Sequence, residues 1–202
     1  MTATFNKSTR ALDERALNTI FHDARTANRF LLEPVPAELL ERIVETTKIA
    51  PTAMNSIPLR VVFVTTPEGR QRLKPLLSPG NVAKVESAPV TAILARDLNF
   101  HEQLPRLAPH APQAVLERAR EHADPMSLQN ATLQAGYFIL AARAHGLDAG
   151  PMGGFDNAGV DAEFFPDGTR KSILLVSLGY GDDGKLFPRN PRLDFSEIAS
   201  FV

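Results

Sequence analysis

Cysteine and tryptophan are both missing from the 202 residues. Without cysteine the chain has no disulfides, no thiolate metal site and no cysteine nucleophile. That composition suits a reducing compartment, and a cytoplasmic location is the expectation. Neither sign of charge dominates: 22 basic side chains face 23 acidic ones, for a net charge of −1. No broad electrostatic footprint for nucleic acid or an anionic membrane follows from that balance, although a local cluster for a small anion remains open. Long hydrophobic runs are also lacking. The most apolar stretch, Ala135-Gly136-Tyr137-Phe138-Ile139-Leu140-Ala141-Ala142, is closed by Arg143 and falls well short of the roughly 20 residues of a membrane span. The segment Met1–Lys7 has no apolar core of the signal-peptide kind.

Repeats, low-complexity tracts and linkers are absent, so a single domain over residues 1–202 is expected. The five histidines show no i,i+4 pair enclosing a glutamate, and no G-x-S-x-G elbow occurs. Zinc-helix and serine-hydrolase chemistries are therefore set aside, and no metal ligands and no catalytic side chain are assigned. What the chain does have is an ordinary globular balance, 44% hydrophobic and 22% charged, which argues against disorder.

The pattern predicts a first helix near residues 10–24 and a second from Val35-Pro36, carried by Leu39, Leu40, Ile43, Val44 and Thr47 and ended by Pro51. Arg60–Thr65 reads as a buried strand, Pro67 opens a helix to about Leu77, and Pro89–Ala95 reads as a second strand. Residues 97–124 are polar and spotted with proline, a surface excursion or lid with short helices at most. A long helix follows from Met126 to His145, apolar on more than one face and stopped by Gly146. Ile173–Leu178 is the last clear strand, before an extended basic tail. The class is α+β, a central mixed sheet flanked by helices.

One motif misleads. Gly179-Tyr180-Gly181-Asp182-Asp183-Gly184 fits G-x-G-x-x-G behind a strand, but a dinucleotide site needs a helix opening directly after it to hold the pyrophosphate. Pro188 and Pro191 follow instead, and two aspartates would repel phosphate. An ordinary turn is expected.

Four separated segments point to a planar, phosphorylated, redox-active ligand. Ala24-Arg25-Thr26-Ala27-Asn28-Arg29-Phe30 offers cations and hydroxyls for a phosphate. Ala50-Pro51-Thr52-Ala53-Met54-Asn55-Ser56 is a small, polar loop whose N–H groups could meet a ligand edge. Asn81 and Lys84 lie one helical turn apart. Gly150-Pro151-Met152-Gly153-Gly154-Phe155-Asp156 has adjacent glycines that permit close backbone approach. Taken singly, each also reads as a helix end, a connection or a capping turn.

In order and spacing, these segments resemble the nitroreductase superfamily over essentially the whole chain. That family has a pattern close to R-x-S-x-[RK]-x-F, then an S-P-[ST]-x-x-N loop, then a P-x-x-G-F-D turn, and near its end a basic pair, matched here by Arg189 and Arg192. Ala24 and Asn28 stand where the family usually has basic residues, Arg25 and Arg29 are displaced by one, and Thr26 replaces the usual Ser. The resemblance implies bound FMN that takes hydride at N5 from NADH or NADPH and passes it to a small-molecule electron acceptor. It assigns Arg25, Thr26, Asn28, Arg189 and Arg192 to the phosphate end. It gives Asn81 and Lys84 to the pyrimidine edge, where reduction leaves negative charge. Pro151, Met152, Gly153 and Gly154 fall near N5. It further implies an intertwined homodimer with the flavin at the interface, so that Pro51, Thr52, Ala53, Met54 and Asn55 come from the partner subunit.

Within the superfamily, Phe21–Asn28, Leu147–Asp156 and Asn190–Phe195 are similar to the pyrimidine-utilisation branch of malonic semialdehyde reductases. That branch implies reduction of 3-oxopropanoate to 3-hydroxypropanoate. A broad nitroaromatic and quinone reductase, and a flavin-binding protein without turnover, are the alternatives.

Overall fold

The computed structural model describes residues 11–202. Met1–Lys7 and the expected helix start at residue 10 lie outside them. Four strands form one sheet: β1 (Leu59–Val64), β2 (Val90–Asp97), β3 (Asp148–Met152) and β4 (Arg170–Gly179), in the order β1-β2-β4-β3. All three pairings are antiparallel, so the mixed character of the expected sheet is confined to an isolated parallel bridge between Thr26 and Ala149. The register slips by one residue between Leu94 and Ala95 of β2, a bulge in the centre of the sheet. β3 had no strand signal in the sequence. Its Asp148-Ala149-Gly150-Pro151-Met152 lacks β-branched residues and pairs only because β4 is buried beside it.

Period-two alternation sends successive side chains to opposite faces. On one face Leu59, Val90, Ala92, Leu94, Val176 and Leu178 pack under two helices, α2 (Ala37–Thr47) and α7 (Ala123–Ala144). On the other, Val64, Ile93, Ala95 and Leu175 pack under α3 (Pro67–Leu73), α4 (Pro79–Ser87) and α8 (Asn157–Phe164). Helices therefore cover both sides of β2, which accounts for its unbroken apolar run. The first helix is short: α1 (Glu14–Leu17) passes into a π turn over Asn18–His22.

The excursion expected at 97–124 holds α5 (Leu104–Leu107) and α6 (Gln113–Glu121) behind a 3₁₀ turn. It is not a bare flap. Phe100, Leu104 and Ala119 form their own buried cluster, with Met54 and Met126 against it. Two neighbouring β2 residues anchor its ends, Asp97 through Arg60 and Arg96 through Asp124. A last short helix, α9 (Phe195–Ile198), lies in the exposed tail.

Apolar on more than one face, α7 is nevertheless not buried nearly all round. Its buried face joins alanines and Phe138 of the core to three polar side chains: Ser127, Asn130, Ala131, Gln134, Ala135, Phe138, Ala141 and Ala142. Leu128, Leu133 and Tyr137 are 43–48% exposed. They belong to an exposed stripe with Gln129, Thr132 and Gly136 that carries no charge from Pro125 through Tyr137. Among the described residues no helix is long and apolar enough to cross a membrane, and no cluster of histidine and carboxylate groups could hold a metal ion.

Candidate functional site

At the outer edge of the sheet, residues 26–30 run beside β3. The Ala27 N–H donates to the Ala149 carbonyl at 3.1 Å. Gly150 permits the approach: a Cβ there would stand 2.6 Å from the Ala27 carbonyl oxygen and 2.9 Å from Lys84 Cδ. The chain leaving β4 returns to the same place, with Phe30 bridging Gly181 and the Gly181 N–H donating to the Asp148 carboxylate at 2.8 Å. That carboxylate occupies the turn where a pyrophosphate would sit in a dinucleotide fold. Only a 3₁₀ turn, Asp183–Lys185, follows, so the glycine motif is a structural turn.

Beyond it the tail crosses residues 20–25 in a reciprocal clasp. Arg25 donates to the Phe187 carbonyl, and Arg189 donates to the His22 carbonyl at 2.7 Å. Between them opens a cavity of about 380 Å³ lined by Arg25, Thr26, Asn28, Arg189 and Arg192, and by Arg143 from the last turn of α7. No carboxylate stands among the lining residues. Four guanidiniums without an acid repel one another and form a site suited to a phosphate.

Lys84 lies close by, its stem against Gly150. It is 7% exposed, and among the described residues its ammonium is in no ion pair. Burial pushes its pKa down from the ordinary lysine value, and the Arg29 charge pushes in the same direction. A desolvated cation facing a second cation is costly until an anion arrives. One turn earlier on α4, the Asn81 amide donates to the Gly154 carbonyl at 2.8 Å, and the Ser78 N–H donates to the same oxygen at 3.1 Å. Asn81 thus fixes the glycine turn and retains its amide oxygen for a ligand. Gly154 is fitted to this contact, since a Cβ would lie 2.9 Å from Asn81 Nδ2; Gly153 is exposed with open space around it.

The loop at 51–57 is the most strained backbone described. Met54, Asn55 and Ile57 have φ of 57°, 53° and 41°, and for a β-branched Ile this is a sparsely populated conformation. Side chains from elsewhere hold it. Asn130 of α7 accepts from the Ala53 N–H at 2.7 Å, Arg60 donates to the Ile57 carbonyl at 2.9 Å, and the Asn55 amide donates to Leu107 in the excursion at 3.0 Å.

Arg25, Thr26, Asn28, Arg189 and Arg192 therefore meet in one cavity, and Lys84, Asn81 and the Pro151–Gly154 turn meet beside β3. Pro51–Asn55 do not join them. That loop leads into β1 at the Arg96–Asp97 end of the sheet, whereas Asp148 pairs with Gly179 at the other end of the opposite edge. Two positions on α7 give the scale: Asn130 touches the loop and Arg143 the cavity, separated by about 20 Å of helix. Sequence reasoning missed Arg143, whereas Gly150 stands at the head of the glycine segment it singled out. Arg143 read only as the charge closing an apolar run, and no pattern in the sequence distinguishes it from a solvated helix end. Neither His101 nor His110 lines the arginine cavity.

The model of the Nitroreductase family matches residues 23–180. A protein of Leptothrix cholodnii that carries the provisional name NADH dehydrogenase/NAD(P)H nitroreductase is 54% identical over 196 residues, spanning 96% of this chain and 100% of its own. A solved Bacillus subtilis chain described as a provisional nitroreductase superposes with a TM-score of 0.82 at 21% identity, covering 94% of this chain and 100% of that one. Another from Exiguobacterium sibiricum, described as a provisional nitroreductase in complex with FMN, reaches 0.78 at 23% identity, with 95% and 98% covered.

Proposed function

The chain belongs to the nitroreductase family, and from that premise we propose that it is an FMN-dependent NAD(P)H oxidoreductase working as a homodimer. The observation that carries the reading is a cavity lined by four arginines and no carboxylate, beside a buried lysine that has no ion-pair partner among the described residues. A phosphate at one end and an anionic ring edge at the other would offset both electrostatic costs, and FMN has these two features on one molecule.

In this reading Arg25, Arg189 and Arg192, with Thr26 and Asn28, hold the phosphate. Lys84 holds a cation beside the pyrimidine edge, and the Asn81 amide orients the Gly153–Gly154 turn toward the ring. When bound, the flavin supplies the hydride chemistry, accepting from NADH or NADPH and delivering to a small acceptor. No side chain of this protein is required as a general acid or base. The Pro51–Asn55 loop, held in its strained form about 20 Å of helix away, serves the site of a second copy. The uncharged stripe on α7 is the surface through which that copy docks. Cytoplasmic location is part of the same reading.

The test is direct. The purified protein is expected to be yellow, to carry about one FMN per subunit and to oxidise NADH or NADPH steadily when given an acceptor. If FMN neither co-purifies nor binds the apoprotein at micromolar concentration, the reading fails. FMN bound without NAD(P)H oxidation would leave a flavin-binding protein.

Reduction of malonic semialdehyde is the narrower proposal, supported by Phe21–Asn28, Leu147–Asp156 and Asn190–Phe195. Its carboxylate needs a cation, and Arg106, Arg118 and Arg120 are exposed on the excursion. A paired assay of the semialdehyde against a nitroaromatic and a quinone decides. Turnover of the aromatics alone would leave a broad nitroaromatic and quinone reductase.

A further inference from the structure

We propose that Arg143 is a fourth anion ligand of the cavity and the residue that makes the site select a phosphate monoester over the corresponding neutral alcohol, FMN over riboflavin. The proposal deepens the flavin reading and rests on it.

Arg143 differs from the other three arginines in its support. Arg189 and Arg192 come from an exposed tail, and Arg25 from an irregular segment. Arg143 projects from the last turn of α7, a helix packed along the main core. A group on such an element is placed more tightly than one on a loop. The carboxyl end of a helix also favours a cation.

Its bonding is incomplete. One Nη donates to the Ile20 carbonyl at 3.1 Å, while Nε is buried without a partner. Burial lowers its pKa from the ordinary arginine value, and Asp148 works in the opposite direction. That carboxylate is already engaged by the Gly181 N–H at 2.8 Å and forms no ion pair with Arg143. The chain has thus drawn a guanidinium partly out of water, with Nε fully buried, into a wall shared with three others and given it one neutral acceptor. Desolvation of this kind is offset only by a charged partner. Phosphate oxygens suit the fork of guanidinium donors that remain, and the Thr26 hydroxyl and Asn28 amide supply neutral donors in the same lining. A neutral ribityl hydroxyl would leave all four charges uncompensated, so discrimination rather than affinity alone is the expected consequence.

The test compares apoprotein of the parent chain, Arg143→Met and Arg143→Lys by quenching of flavin fluorescence, with FMN and with riboflavin, at two salt concentrations. The methionine variant is expected to bind FMN tenfold or more weakly and riboflavin within twofold of the parent. The lysine variant should recover part of the preference. FMN binding by the methionine variant should also depend less on salt. Equal losses for both flavins would assign Arg143 to holding Ile20 in place, and unchanged binding of both would remove it from the site; either outcome overturns the proposal. Should the parent chain take neither flavin, the flavin reading fails, and Arg143 is judged on inorganic phosphate. Thermal stabilisation by phosphate that the methionine variant loses supports an anion ligand, and equal stabilisation overturns it.

Discussion

Lys84 shows what a single residue contributes here. Its stem fills the space left by the missing side chain of Gly150, and its charge is buried where the Arg29 cation also acts on it. The folded pKa lies below the unfolded value, so between the two the unfolded chain binds more protons. Stability of the apoprotein is therefore expected to rise with pH across that window, up to the ordinary lysine range. Lys84→Met should flatten this rise, as read from denaturant midpoints at a series of alkaline pH values; an unchanged slope would mean that Lys84 is not the titrating group. In the holoprotein the sign of the effect on function reverses. Lys84→Ala should weaken FMN binding or slow flavin reduction by one to two orders of magnitude, at least ~1.4 kcal/mol. Unaltered affinity and kinetics would exclude it from the site.

At the scale of elements, the contest is between strain in the 51–57 loop and the helix that restrains it. Three left-handed residues of this kind cost on the order of 1 kcal/mol each, and Asn130 and Gln134 of α7 oppose the cost from the buried face, accepting from the N–H groups of Ala53 and Leu59. Both are nearly inaccessible, at 2% and 1% exposure. Asn130→Ala removes the acceptor and leaves the Ala53 N–H and the loop unsupported. A loss of about 1–3 kcal/mol is expected from urea unfolding, together with weaker FMN binding if the loop serves a flavin. A stability change below ~0.5 kcal/mol would show that the loop holds its shape without α7. Ser127, Asn130 and Gln134 interrupt an inner face otherwise built of alanines and Phe138, while Leu128, Leu133 and Tyr137 stay on the outer face, so the contrast between the two faces is weak. The element is read correctly as helix from its sequence, but its orientation is not.

For the whole molecule, the arrangement of edges matters most. The arginine cavity and the strained loop meet α7 at Arg143 and Asn130, with Leu133 and Tyr137 exposed between them and Leu128 just before. The tail separately exposes Leu193, Phe195, Ile198 and Phe201, and exposed apolar groups of this size mark candidate contact surfaces. The chain is expected to run as a dimer in light scattering at low micromolar concentration, with an obligate interface of about 2,000 Å² or more. Leu133→Glu, which puts a charge in the centre of the stripe, should shift it toward monomer and release flavin in parallel. A stable monomer that retains FMN would contradict the dimer and the shared site together.

The sequence by itself determined the class of elements, the strands β1, β2 and β4, the stop at Gly146 and most of the residues that line the arginine cavity. These follow from local propensity, from period and from functional groups that few other chemistries bring together. The tertiary structure alone decided the rest. β3 is a strand because β4 accepts its backbone, not because Asp148–Met152 favours one. Asn81 turns to Gly154, and the G-x-G-x-x-G turn closes on Asp148, because those partners lie 73 and 33 residues away along the chain. Arg143 becomes a cavity residue only when α7 brings its last turn against residues 20–25. Such contacts depend on distances between elements, and no period or spacing along the chain encodes them.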